Sequence, residues 1–118
     1  MVRAPQRRGN VHDHAHAWVL YGLLDGTETP ERYAGLDDGG KPGHAKLRRT
    51  GAHHGKPGHV DLIPPFAIHA EQGGPERSVA VIVRSERLVG RTLQHRFDPA
   101  NHTVEKRCGP AQVPYEIA

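Results

Sequence analysis

Fourteen glycines and ten prolines divide this 118-residue chain into short runs rich in Val, Ile, Leu and Thr. That punctuation leaves little room for long helices, and no segment of about 11 residues or more keeps an apolar repeat near 3.6. Brief strands joined by turns fit it instead, so the expected class is all-β. Strands are expected over residues 17–24, 28–33, 45–50, 59–63, 78–84, 91–97 and 103–106, with turns or loops at Asp25-Gly26, 35–43, 51–58 and 72–75.

The length suits one domain with a modest core. A net charge of +3 is a mild basic excess, spread along the chain apart from Arg7-Arg8 and the stretch from Lys46 to Arg49. Those clusters lack the interleaved aromatics that would stack bases, so no nucleic-acid partner is expected. Cys108 is the only cysteine and cannot form an internal disulfide or a thiolate metal cluster. A metal site would therefore draw on histidine and carboxylate. The first ten residues are basic without an apolar core, and no run approaches about 18 apolar residues, so a soluble, cytoplasmic chain without a membrane segment is expected.

Ten histidines make one H-x-H pair unremarkable by itself. The spacing around His12-x-His14 carries more information: four residues lead to Val19 and six more to Gly26. A second block runs Gly58, five residues, Pro64-x-Phe66, two residues, His69. On a strand, residues two apart share a face, so imidazoles at positions 12 and 14 can bracket one ion. A third ligand must come from another strand, and His69 follows the rigid Pro64-Pro65 turn that would aim it inward. Gly26 and Gly58 stand at strand ends, where tight turns favour a residue without a Cβ.

These two blocks resemble the paired motifs of the cupin superfamily, H-x-H-x4-E-x6-G and G-x5-P-x-G-x2-H-x3-N, which face each other across a small β-barrel. The resemblance implies a double-stranded β-helix, or jelly-roll barrel, over residues 11–108. It would be N-terminally short, preceded by a basic flexible N-terminus (1–10) and followed by a C-terminal tail (109–118). It also implies a divalent metal on His12, His14 and His69. Val19 stands where most cupins have a glutamate ligand, leaving three neutral imidazoles and the ion's full charge. Phe66 replaces a glycine, and Gly73 an asparagine.

The stretch His12-Asp13-His14, continued by Trp18, Tyr21 and Gly22, is similar to the cysteine dioxygenase-like branch, which also uses three histidines. That similarity implies Fe(II) and a reaction adding O2 to the sulfur of a small thiol acid. Tyr21 is then a candidate to donate its hydroxyl to a bound oxygen species. Arg84, at the position of a family tyrosine after the third histidine, is a candidate anion anchor. The scarcity of N-terminal strands implies an upstream start or a barrel completed by a second subunit, in keeping with a homodimer. Two other readings stay open: a Zn2+ lyase, isomerase or hydrolase, and a non-catalytic small-molecule-binding cupin. His16, Asp13 and Glu71 are candidates to support the ligands, while His53, His54 and His59 are expected on a solvated Gly-rich loop.

Overall fold

The computed structural model describes residues 1–86 and 93–108. Among these residues the fold is all-β, with no helix. The strands are β1 (Val2–Arg3), β2 (Val11–His12), β3 (Val19–Asp25), β4 (Glu28–Gly35), β5 (Leu47–Ala52), β6 (Val60–Ile63), β7 (Ile68–Gly73), β8 (Ser78–Arg84), β9 (Leu93–Asp98) and β10 (Thr103–Cys108). They pair antiparallel in two sheets, ordered β1-β8-β3-β6 and β10-β9-β2-β7-β4-β5.

The four-stranded sheet follows the two-residue period of a half-buried strand. On β3, Val19, Tyr21 and Leu23 are buried while Leu20 and Gly22 are less so. Val19 and Tyr21 pack with Ile63 of β6 and Ala80 of β8, with Ala67 and Ile82 against them. The chain crosses between the two sheets repeatedly, among other places from β3 to β4 and from β7 to β8. Gly26 makes the crossing from β3 to β4 at φ +78°, and a Cβ there would lie 2.5 Å from the Arg77 carbonyl oxygen. Only glycine meets both demands.

A polar knot ties the sheets together at this end. Glu28 on β4 is 3% exposed and accepts hydrogen bonds from Tyr21 Oη at 2.8 Å and Ser78 Oγ at 2.6 Å. Arg3 Nε of β1 stands 3.3 Å from the same carboxylate. Three strands of one sheet thus converge on one charge of the other, and the buried carboxylate keeps partners on several sides.

Several expected boundaries move; the strand expected over 45–50, for one, is Leu47–Ala52. Strand β3 starts at Val19 rather than at residue 17, because the Ala17 amide donates to the His14 carbonyl and closes a turn. The expected turn at 72–75 begins inside β7, which the sequence did not announce as a strand. Ile68-His-Ala-Glu-Gln-Gly73 lacks the β-branched signal, since its polar residues face a polar interior on one side and Glu31 on the other. The first ten residues, expected as a flexible N-terminus, lie along the sheets. The Met1 ammonium donates to Ala80 O at 2.7 Å, β1 pairs with β8, and the Gly73 amide donates to Arg7 O at 2.8 Å. A Cβ at position 73 would sit 2.9 Å from Arg7 N and O, so glycine at this position admits this segment. Residues 91–92 of an expected strand and the expected tail 109–118 lie outside the described residues. No helix among the described residues is long and apolar enough to cross a membrane.

Candidate metal centre

Strands β2 and β7 are neighbours in the six-stranded sheet, with His12 directly opposite His69. Opposed residues of an antiparallel pair project to one face, so the register alone makes these imidazoles neighbours. His14 arrives differently from the sequence expectation. Strand β2 ends at His12, and the next residues leave the ladder in a turn built on Asp13. Asp13 Oδ1 accepts from the amides of Ala15 at 3.1 Å and His95 at 2.9 Å, and Oδ2 lies 2.8 Å from His95 Nδ1. Ala15 follows at φ +50°, a left-handed conformation uncommon outside glycine. The turn folds His14 back over the strand it has just left.

The three side chains converge. One ring nitrogen from each of His12, His14 and His69 falls within 4.8 Å of the others, and His14 Nε2 lies 2.9 Å from His69 Nε2. Two nitrogens each about 2.0–2.1 Å from one ion are about 3 Å apart, so this spacing is that of co-ligands. His69 is 1% exposed and His14 6%.

Each ring is also held on its far side. His12 Nδ1 lies 2.8 Å from the Asn10 carbonyl oxygen, His69 Nδ1 is 2.8 Å from Glu71 Oε1, and His14 Nδ1 is 2.9 Å from the Gln94 side-chain amide. The Asn10 carbonyl accepts the His12 Nδ1 proton and leaves its Nε2 lone pair free, while the Glu71 carboxylate stands close behind His69 Nδ1 as a charge contact rather than an aligned hydrogen bond. At His14 the contact runs the other way: Gln94 Nε2 donates to Nδ1, and only the amide turned over, with its oxygen toward the ring, leaves the His14 Nε2 lone pair free. Such outer contacts fix the tautomer and ring angle that a metal requires. Gln94 and Asn10 were not among the sequence candidates; one comes from a distant strand and the other acts through its backbone.

Electrostatics keep two of the three imidazoles uncharged. Burial first, then the charge of His69, lowers the His12 pKa. Burial, followed by His12 and His69, lowers His14 to about 3, with Arg84 contributing. Burial alone would raise Glu71, but the close contact and charge of His69, with His12 and Arg3, outweigh it and hold the carboxyl below its ordinary value. At neutral pH His12 and His14 thus offer lone pairs, and Glu71 offers a negative charge behind His69.

The remaining sequence candidates separate cleanly. Val19 is 2% exposed in the apolar core, so no carboxylate stands beside the histidines at that position. Arg84 shares the inward parity of Ser78 and Ala80 on β8; its Nε is buried with no hydrogen-bond partner among the described residues, and burial lowers its pKa. Tyr21 instead commits its hydroxyl to Glu28, and burial raises its pKa. His16 is exposed and pairs with Glu86. His53 and His59 face each other at 3.2 Å between Nε2 atoms, outside the three-histidine group, and His54 is exposed. Asp13, expected on the surface or behind a ligand, is buried and builds the His14 turn.

A cavity of about 480 Å³ opens on the site, lined in part by His12, Glu71, Arg3, Arg7, Arg8 and Arg96. Four guanidinium-bearing residues around one mouth favour an anionic visitor. In comparisons with known proteins, no family model and no curated protein matches this chain.

Proposed function

We propose that this chain is a cupin of the cysteine dioxygenase-like kind, a cytoplasmic jelly-roll barrel holding one Fe(II) on His12, His14 and His69 and acting on a small thiol acid with O2. The observation that carries the reading is the inward convergence of three imidazoles whose Nδ1 atoms are all occupied from behind. Such a donor set, neutral and without a carboxylate, fits a divalent ion that must keep its charge for an anionic ligand. Bound there, Fe(II) would supply the one-electron chemistry that O2 requires.

The chain's own residues do the rest. Burial keeps His12 and His14 unprotonated at neutral pH, so protons do not compete for the ligand positions. Glu71 and Asn10 O hold two rings in place, and Gln94 holds the third. The arginine-lined cavity draws in an anion beside His12; Arg84 lies outside that lining, and its charge near His14, with a buried Nε that lacks a partner among the described residues, makes it the group to anchor a carboxylate from that side. Val19, Tyr21, Ile63 and Ala80 close the barrel interior to water on the side of the four-stranded sheet.

The test is metal analysis of protein purified without added metal, followed by oxygen-electrode traces of the iron-loaded chain with cysteine, mercaptopropionate and cysteamine. About one iron per chain is expected, with O2 uptake for the two carboxylate-bearing thiols and little for cysteamine. Iron-loaded protein that consumes no O2 with any of them rules out the dioxygenase. A preference for zinc would point instead to polarisation of a carbonyl or a water at the same three histidines.

A further inference from the structure

Residues 53–59 connect the two sheets: they follow β5 of the six-stranded sheet and precede β6 of the four-stranded one. Their sequence, His-His-Gly-Lys-Pro-Gly-His, reads as a solvated loop, yet its backbone is pinned on both sides. The His53 amide donates to Pro30 O at 3.2 Å, and Gly55 exchanges hydrogen bonds with Glu28 at 2.7 and 3.2 Å. The Gly58 amide donates to Leu23 O at 2.8 Å, the His59 amide to Lys56 O at 2.9 Å, and the Leu23 amide to His59 O at 3.0 Å. Gly58 takes φ +90°, and a Cβ on the buried Gly55 would lie 3.0 Å from Glu28 O, so the two glycines set the path. On it the rings of His53 and His59 meet, their centroids 5.1 Å and their Nε2 atoms 3.2 Å apart. His53 is exposed and His59 half-buried, so the pair opens to water.

We propose that His53 and His59 form a second metal site, which takes one Zn2+ ion and completes its tetrahedron with water. Nitrogens about 2.0–2.1 Å from one ion stand about 3.3–3.4 Å apart at the tetrahedral angle and about 2.8–3.0 Å apart at a right angle. The 3.2 Å between His53 and His59 lies nearer the first, and the 2.9 Å between His14 and His69 matches the second. Two imidazoles with open positions beside them suit zinc, which takes four ligands and needs no carboxylate among them. The site is separate from the three-histidine group. Gly55 pairs with Glu28, and Arg32, further along the same strand, is the residue opposite His69. Four residues of extended strand put the loop about 13 Å beyond that row. A bound ion joins the end of β5 to the start of β6, clipping one sheet to the other, and a ligand held only by the folded chain raises its stability by mass action. With two protein ligands open to water, the site holds its ion less tightly than the buried group and loses it on gel filtration, so zinc must be supplied.

The test is titration of the full chain with zinc chloride against a chromophoric chelator at neutral pH, with thermal unfolding followed in parallel. Wild type should take up about one more zinc per chain than His53→Ala or His59→Ala. Each substitution should weaken the site more than about 10-fold, since losing even a contact behind a ligand costs about 10- to 100-fold. The β spectrum should stay unchanged, because both rings stand at the surface. His54→Ala removes the exposed histidine between them and should bind zinc as wild type does. In His69→Ala, which disables the three-histidine group, added zinc should still raise the unfolding midpoint, and combining it with His53→Ala should reduce that shift. Equal zinc uptake by wild type, His53→Ala and His59→Ala overturns the proposal and leaves the pair a hydrogen bond between two imidazoles. So does an equal loss in His54→Ala, which is adsorption to a histidine-rich surface.

Discussion

His14 Nε2 and His69 Nε2 lie 2.9 Å apart although 55 residues separate them in the chain. Neither residue could be placed against the other by local rules, because the two reach this spacing by different means. The register of β2 on β7 positions His69, and a buried aspartate turn positions His14.

That dependence gives the first prediction. His69→Ala should reduce bound metal from about one ion per chain to less than about a tenth, with the β spectrum retained, as measured by elemental analysis after gel filtration. Glu71→Gln keeps a hydrogen-bond acceptor behind His69 but removes the charge, and should weaken metal binding about 10- to 100-fold. Unchanged metal content in His69→Ala would eliminate the triad.

The metal-free chain should be acid-sensitive in a defined direction. His14 has a folded pKa of about 3 against an ordinary value of 6.5. Between those values the unfolded chain binds the proton and the folded chain does not, so stability rises with pH through this window. Lowering the pH from 7 to 5 should cost about 2 kcal/mol from this group alone. Urea unfolding after chelation measures it, and His14→Leu should flatten the dependence.

Tyr21 offers a way to separate structure from chemistry. Its hydroxyl donates to the buried Glu28, which also holds Ser78 and Arg3. Tyr21→Phe should lower unfolding free energy by about 1–3 kcal/mol, since a buried charged acceptor loses one donor. Metal stoichiometry should not change. A full loss of thiol oxidation with unaltered stability would instead return Tyr21 to the catalytic role suggested by its motif.

Phe66 tests the turn before His69. The Ala67 amide donates to Pro64 O at 3.2 Å, and Phe66 occupies the third position of that turn at φ +61° while 60% exposed. A left-handed residue other than glycine costs about 1–2 kcal/mol, of which the flexibility of glycine in the unfolded chain offsets about 0.5–1. Phe66→Gly should therefore stabilise the protein by up to about 1 kcal/mol in denaturant unfolding. Gly26→Ala should do the reverse and more strongly, since its Cβ would meet the Arg77 carbonyl at 2.5 Å.

The sequence by itself determined the β class and most strand positions, because glycine and proline act locally and alternating apolar residues need no partner to be recognised. It also singled out His12, His14 and His69, and it marked Gly26 and Gly58 as turn residues; both adopt positive φ. Strand β7 was hidden because its inward face carries His69 and Glu71 rather than Val and Ile, so the residues that make a site erased the usual strand signal. The tertiary structure alone decided which groups stand behind the ligands. Asn10 O, Glu71 and Gln94 come from three separate segments, and a hydrogen bond between segments depends on pairing register, which no local pattern encodes. It likewise decided that Tyr21 serves Glu28 and that His53 and His59 bring their rings together, because groups at the ends of different sheets meet only once the chain has folded.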